Sequence, residues 1–176
     1  MRFLQATFTL VAVMFAACRT GAGEAHLIAT NAPACIELRD QYDAPQKLSF
    51  PSTNVTVLTI ADRKGSAQVA GWIAALKPRY VKRIDIRGIA DAGGAPAFLH
   101  GKIRKKLQET RTYPVMIDWS GKICEQLSYR KDIANILVLG RDGAILGRFS
   151  GQAHGAIVTE ACALLDKILS VPSKTL

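Results

Sequence analysis

The run VTVLTIA at residues 55–61 constrains this chain more than any other stretch. It is continuously apolar or β-branched, with no alternation of polar and apolar positions. That pattern marks a central strand covered on both faces. Such a strand needs neighbours in a sheet and helices packed above and below it. The run RIDIRGIAD at 83–91 reads as a second inner strand. Between the two, Val69, Trp72, Ile73 and Leu76 fall on one helical face, and Pro78 stops or kinks that helix. Strands alternating with helices predict parallel pairing in this part of the chain.

The flanking segments complete the layout. CIELRDQY (35–42) and QKLSF (46–50) form a first hairpin around Asp43-Ala44-Pro45. After the loop AGGAP, the residues Leu99, Ile103 and Leu107 mark a basic amphipathic helix, and YPVMIDW (113–119) is a short strand closed by the turn SGK. ANILVLG and AILGRFS are two strands joined by Arg141-Asp142-Gly143, a strong hairpin signal because glycine tolerates positive φ. Ile157, Ala161, Leu164, Leu165 and Ile168 make the core face of a C-terminal helix. This order is the layout of a thioredoxin-type sheet with helices on both faces.

With 176 residues, 49% of them hydrophobic, the chain fits one domain plus an N-terminal extension. The expected organisation is a signal peptide over 1–17, a flexible tether over 18–34, the folded domain over 35–170 and a tail over 171–176. MRFLQATFTLVAVMFAAC has Arg2, an apolar run too short for a confident membrane span, and then Cys18. Phe15-Ala16-Ala17-Cys18 resembles a bacterial lipobox, with Phe15 where Leu is usual, and lipid on Cys18 would hold the domain at a membrane surface. The alternatives are ordinary cleavage after Ala22 or Ala25, or an uncleaved anchor. Each of these readings places the domain outside the cytoplasm, in the periplasm or cell envelope.

The formal charge is +9, and most of it is local: residues 77–111 carry ten Lys or Arg against three acids. A face of that kind attracts phosphates, anionic lipid or an acidic partner, or is simply solvated. It lacks the interleaved aromatic residues of a single-strand nucleic-acid platform, so no nucleic acid is expected.

The segment YPVMIDWSGKICEQLSYRKDIANILVLGRDGAILGRFSG (113–151) resembles the redoxins of the AhpC/TSA and TlpA type, and the resemblance extends more weakly from Cys35 to Leu169. It implies an α/β fold, a thioredoxin-like three-layer α/β/α sandwich with a mixed central sheet. It also implies a Cys-x-x-Cys at the helix start after the first buried strand, where the helix dipole and free N–H groups stabilise a thiolate. Those two positions fall on Lys64 and Ala67, and neither forms a thiolate. The family's cis-proline falls on Ala134, where a cis bond would cost roughly 3 kcal/mol. The peroxiredoxin pattern Pro-x-x-x-Thr-x-x-Cys is absent. IADRKGSA is similar instead to the loop of the YtfJ-like envelope proteins, where a polar, cysteine-free loop with Arg and Ser follows the strand.

Function by binding is therefore the first expectation. Asp62, Arg63, Lys64, Gly65 and Ser66 form the loop, with Ala134 and Asn135 facing it. Ser66 is placed to cap the helix with its hydroxyl. Gly65 and Ser66 would offer backbone N–H groups to an anion, beside Arg63 and Lys64. The ligand would be a small anion, a peptide or a partner protein. The second expectation is a thiol peroxidase or oxidoreductase using Cys124, Cys35 or Cys162 outside any motif. The bland alternative for these cysteines is small buried hydrophobes or one structural disulfide. A third reading is an envelope component whose basic residues 77–111 dock on anionic lipid. Serine catalysis has no His and Asp partners here. His26, His100 and His154 lack ligand spacing, so no metal and no cofactor is implied.

Overall fold

The computed structural model describes residues 30–170. The expected signal peptide, Cys18, His26 and the tail lie outside the described residues. From the N-terminus the elements are β1 (Cys35–Asp40), β2 (Pro45–Ser49), β3 (Val55–Ala61), α1 (Ser66–Leu76), β4 (Ile84–Asp91), a 3-10 turn (Ala97–Leu99), α2 (His100–Thr110), β5 (Met116–Asp118), α3 (Lys122–Gln126), β6 (Asn135–Leu139), β7 (Ile145–Ser150) and α4 (Gly155–Ser170). The seven strands form one mixed sheet in the order β2-β1-β5-β4-β3-β6-β7. β3, β4 and β5 are parallel, and the two hairpins add antiparallel strands at the edges.

Every residue of β3 is buried, as the unbroken apolar run requires. Its two faces feed two cores. Val55, Val57 and Ala61 pack with Val69, Trp72 and Leu76 of α1 and with Ala161, Cys162 and Leu165 of α4. Leu58 and Ile60 pack on the other face with Ile36, Met116, Cys124 and Leu127. Helices thus cover both faces, and the fold is the expected three-layer α/β sandwich. Trp72 is fully buried, tilts against Phe149 with ring centroids 6.0 Å apart, and donates its indole N–H to the Gly151 carbonyl at 2.9 Å. In α2 the expected face is only half-buried, because Leu99, Ile103 and Leu107 lie at the margin of the sheet.

Two polar residues fix the first hairpin. Asp40 is buried and accepts the N–H groups of Tyr42 and Ala44 and the amide of Gln46, closing the turn around Asp43. Gln41 is fully buried, accepts Val115 N–H at 2.8 Å and donates to the Tyr113 carbonyl at 2.9 Å, which ties the hairpin to the approach of β5. Gly143, at φ +87°, closes the β6–β7 turn as expected. The end of the expected tether is attached to the domain. The Thr30 carbonyl accepts Ile145 N–H, Ala32 N–H donates to Gly143, and the Ala34 carbonyl accepts Phe50 N–H. From Thr30 onward the backbone is hydrogen-bonded to the sheet margin, so the small polar residues here are anchored through their main chain.

Candidate functional site

β3 ends at Ala61, and Asp62 follows at the carboxyl end of the parallel strands, where open α/β sheets place their sites. The Asp62 carboxylate joins two segments. One oxygen accepts Gly65 N–H at 2.7 Å, the other accepts Asp132 N–H at 2.8 Å, and its carbonyl takes Ser66 N–H at 2.9 Å. Lys64 reaches the Asp132 carboxylate at 3.0 Å. Partial burial pushes the Asp62 carboxyl up, but the backbone donors from Gly65 and Asp132 outweigh it and hold its pKa below the usual carboxylate value.

This arrangement corrects two expectations. The N-cap of α1 is Gly65, with no side-chain cap, and the Ser66 hydroxyl turns back to donate to the Arg63 carbonyl at 2.9 Å. Nor are the Gly65 and Ser66 N–H groups available as an anion nest, since Asp62 already accepts both. The Asp62 carboxylate and carbonyl thus take up the N–H groups at this helix start.

The facing segment is equally tied in. Gly65 lies so close to the other loop that a Cβ there would stand 2.4 Å from the Ile133 carbonyl carbon. Gln68 of α1 accepts Ala134 N–H at 3.1 Å, and the Ala134 carbonyl accepts Gly151 N–H at 2.8 Å. The Ile133–Ala134 peptide is trans. Asn135 donates to the Arg130 and Ile133 carbonyls and accepts Arg130 N–H, closing its own loop. Ala134 and Asn135 are buried and position the loop, whereas Arg63, Lys64, Ala67, Lys131 and Asp132 face solvent. The structure therefore brings all seven loop residues together, with the two cations outward and the others serving as scaffold.

Sequence reasoning missed Gln68, Arg111 and Tyr129. Arg111, at the end of α2, donates to the Ser66 carbonyl at 2.8 Å. The Tyr129 hydroxyl is buried beside Asp62, and burial followed by that charge raises its pKa, which keeps the phenol neutral. No local pattern announces these residues, because their partners are distant in the chain. Asp62→Asn keeps one side-chain acceptor and sets an NH2 donor against the other backbone N–H, and is expected to cost about 2 kcal/mol. Because the folded pKa is depressed, the carboxylate's contribution is present above the unfolded pKa and lost as pH falls through the folded value. A pH series of urea midpoints checks this: the variant loses stability at neutral pH and shows a shallower decline on the acid side.

The three described cysteines are all free and dispersed. Cys35 is exposed at the start of β1. Cys124 is buried under one face of the sheet and Cys162 under the other, so the sheet holds this pair beyond the roughly 7 Å that a disulfide requires. Burial, then the charges of Asp91 and Asp118, push the Cys124 thiol far up, away from the reactive thiolate. A separate groove of about 770 Å³ lies over the β1–β2 hairpin beside Arg104 and Trp119, whose ring stacks on His100 at 3.8 Å.

No family model and no curated protein sequence matches the chain. Solved structures do. One described as a thiol:disulfide interchange protein DsbE from Chlorobium tepidum matches with a TM-score of 0.61 at 17% identity, covering 81% of this chain and 99% of that one. The exposed lipoprotein thioredoxin Etrx1 of Streptococcus pneumoniae matches at 0.61 and 14%, covering 76% and 99%. Peroxidoxin BcpB of Mycobacterium tuberculosis matches at 0.51 and 17%, covering 83% and 99%. The architecture is the thioredoxin-like fold, and function in such a fold lies in the site and not in the sheet. In this chain the position after the first central strand is held by Asp62, Lys64 and Ala67, without a cysteine.

Proposed function

We propose that this chain is an exported redoxin-fold protein that has lost thiol chemistry at the family's site and works by binding. The single observation that carries the reading is the Asp62 carboxylate, which accepts the Gly65 and Asp132 N–H groups where a redoxin would stabilise its thiolate. Lys64 and Ala67 stand at the two motif positions, and the similarity of IADRKGSA to the YtfJ-like loop points the same way. Export is supported by the signal-peptide layout of residues 1–17 and by the similarity to an exposed lipoprotein thioredoxin. No described helix is long and apolar enough to cross a membrane.

The binding group is the outward pair Arg63 and Lys64, with Lys131 beside them in the facing loop. Lys64 already pairs with Asp132, so an incoming carboxylate would compete with that ion pair. This geometry favours the acidic segment of a peptide or partner protein over a bare anion, because the backbone donors are taken. A hexaglutamate peptide titrated into the full chain tests it by backbone amide shifts. The expected result is movement of residues 62–66 and 130–133, with affinity lowered about tenfold in the Arg63→Ala/Lys64→Ala variant, as loss of two interfacial charges implies. Shifts confined to other surfaces would overturn the reading.

A further inference from the structure

The other end of the sheet holds a second arrangement. β3 and β4 are parallel and start there, and β6 runs antiparallel to β3, so the turn 140–143 lies at the same end. Thr30, the first described residue, is hydrogen-bonded beside that turn and so lies at this end. The α1–β4 connection also lies here. It carries Lys77, Lys82 and Arg83, and no described carboxylate pairs with any of the three side chains, although Arg79 close by is paired with Asp166. Val81 is 58% exposed, and Lys82 is held at φ +61°, a conformation that non-glycine residues adopt only at some cost. Next to them is a pocket of about 260 Å³ with Ile73, Ile86 and Pro114 in its wall, cations at its rim and no acidic residue in its lining.

We propose that this end of the molecule is a docking face for an anionic bilayer. Three unpaired cations complement the headgroups, and Val81 and the apolar pocket give the same surface an affinity for the interface that charge alone does not supply. Thr30 lies at this end, so a tether from a lipid on Cys18 would have its shortest span to cover with this face on the membrane. Of the basic residues 77–111, those that take part are the group before β4 together with Arg87, which lines the pocket; no α2 cation is in its lining. The consequence is an orientation. The seven residues of β3 separate the two ends by about 23 Å, so the Asp62 loop points away from the membrane.

The test is co-sedimentation of the full chain with vesicles of phosphatidylcholine alone and of phosphatidylcholine with about one-third phosphatidylglycerol, at about 0.1 M salt. The ratio of the two partition coefficients isolates the charge-dependent part, because the apolar N-terminal segment is common to both. Each surface cation contributes about fivefold, so the ratio is expected to fall at least tenfold in Lys77→Gln/Lys82→Gln/Arg83→Gln and to stay unchanged in Arg63→Ala/Lys64→Ala. Hydrogen exchange with bound vesicles is expected to slow residues 77–84 and leave 62–66 as in the free protein. A ratio near one for the unaltered chain, a ratio insensitive to the triple substitution, or protection centred on the Asp62 loop overturns the proposal.

Discussion

Trp72→Ala is expected to lower the unfolding free energy by about 4 kcal/mol, in the range for deleting a large buried aromatic side chain. Trp72 is completely buried in the core that α1 shares with β3 and α4. Its indole also supports the candidate site. It binds the Gly151 carbonyl, while Gly151 N–H binds Ala134 in the loop that faces Asp62. Trp72→Phe keeps most of the packing and loses the hydrogen bond, with an expected cost of about 1.5 kcal/mol. Urea unfolding followed by far-UV circular dichroism separates the two. Equal losses in the two variants would mean that the hydrogen bond, and not the volume, carries the effect.

Gly65→Ala is the second large effect, at about 3 kcal/mol, the upper range of overpacking against a rigid neighbour. Gly65 sits at φ −69°, so the backbone conformation suits any residue and the whole cost comes from the contact. The added carbon would stand 2.4 Å from the carbonyl carbon of Ile133 and 2.9 Å from Ala134 N, and both are main-chain atoms that yield only if the loop moves. The Asp62–Asp132 and Gln68–Ala134 hydrogen bonds should lengthen with it. Gly101→Ala is the matched control. A Cβ there meets nothing within 4 Å, and in the exposed face of α2 it is expected to stabilise by about 0.5–1 kcal/mol. A neutral Gly65→Ala would show that the two loops do not pack as described.

The elements that could be read from the sequence are those whose signal is local. The burial of β3 follows from VTVLTIA, the face of α1 from Val69, Trp72 and Leu76, and the last turn from Gly143. The position of the candidate loop followed from the end of β3. Its internal wiring did not, because Asp62 meets Asp132 and Gln68 meets Ala134 across more than sixty residues. Ser66 looked like a cap since serine at a helix start usually is one. Here the helix starts at Ser66 itself with Gly65 as its N-cap, so the hydroxyl sits one position inside the first turn and donates to the Arg63 carbonyl. Gln41 carried no signal at all: a glutamine between two strands reads as a surface residue until Tyr113 and Val115 arrive beside it. The cysteines gave only an inventory, and their separation by the sheet became evident once β3 had two covered faces.

The proposed function requires that this chain carry no thiol chemistry. It is tested most directly by alkylation and intact mass on the full chain, before and after mild peroxide, with every cysteine assigned. Cys35 is expected to alkylate in the native protein, Cys124 and Cys162 only after unfolding, and peroxide to form no reversible disulfide among these three. Fast oxidation of Cys124 followed by reversible pairing with a second cysteine would contradict it and place a displaced redox centre beneath the sheet.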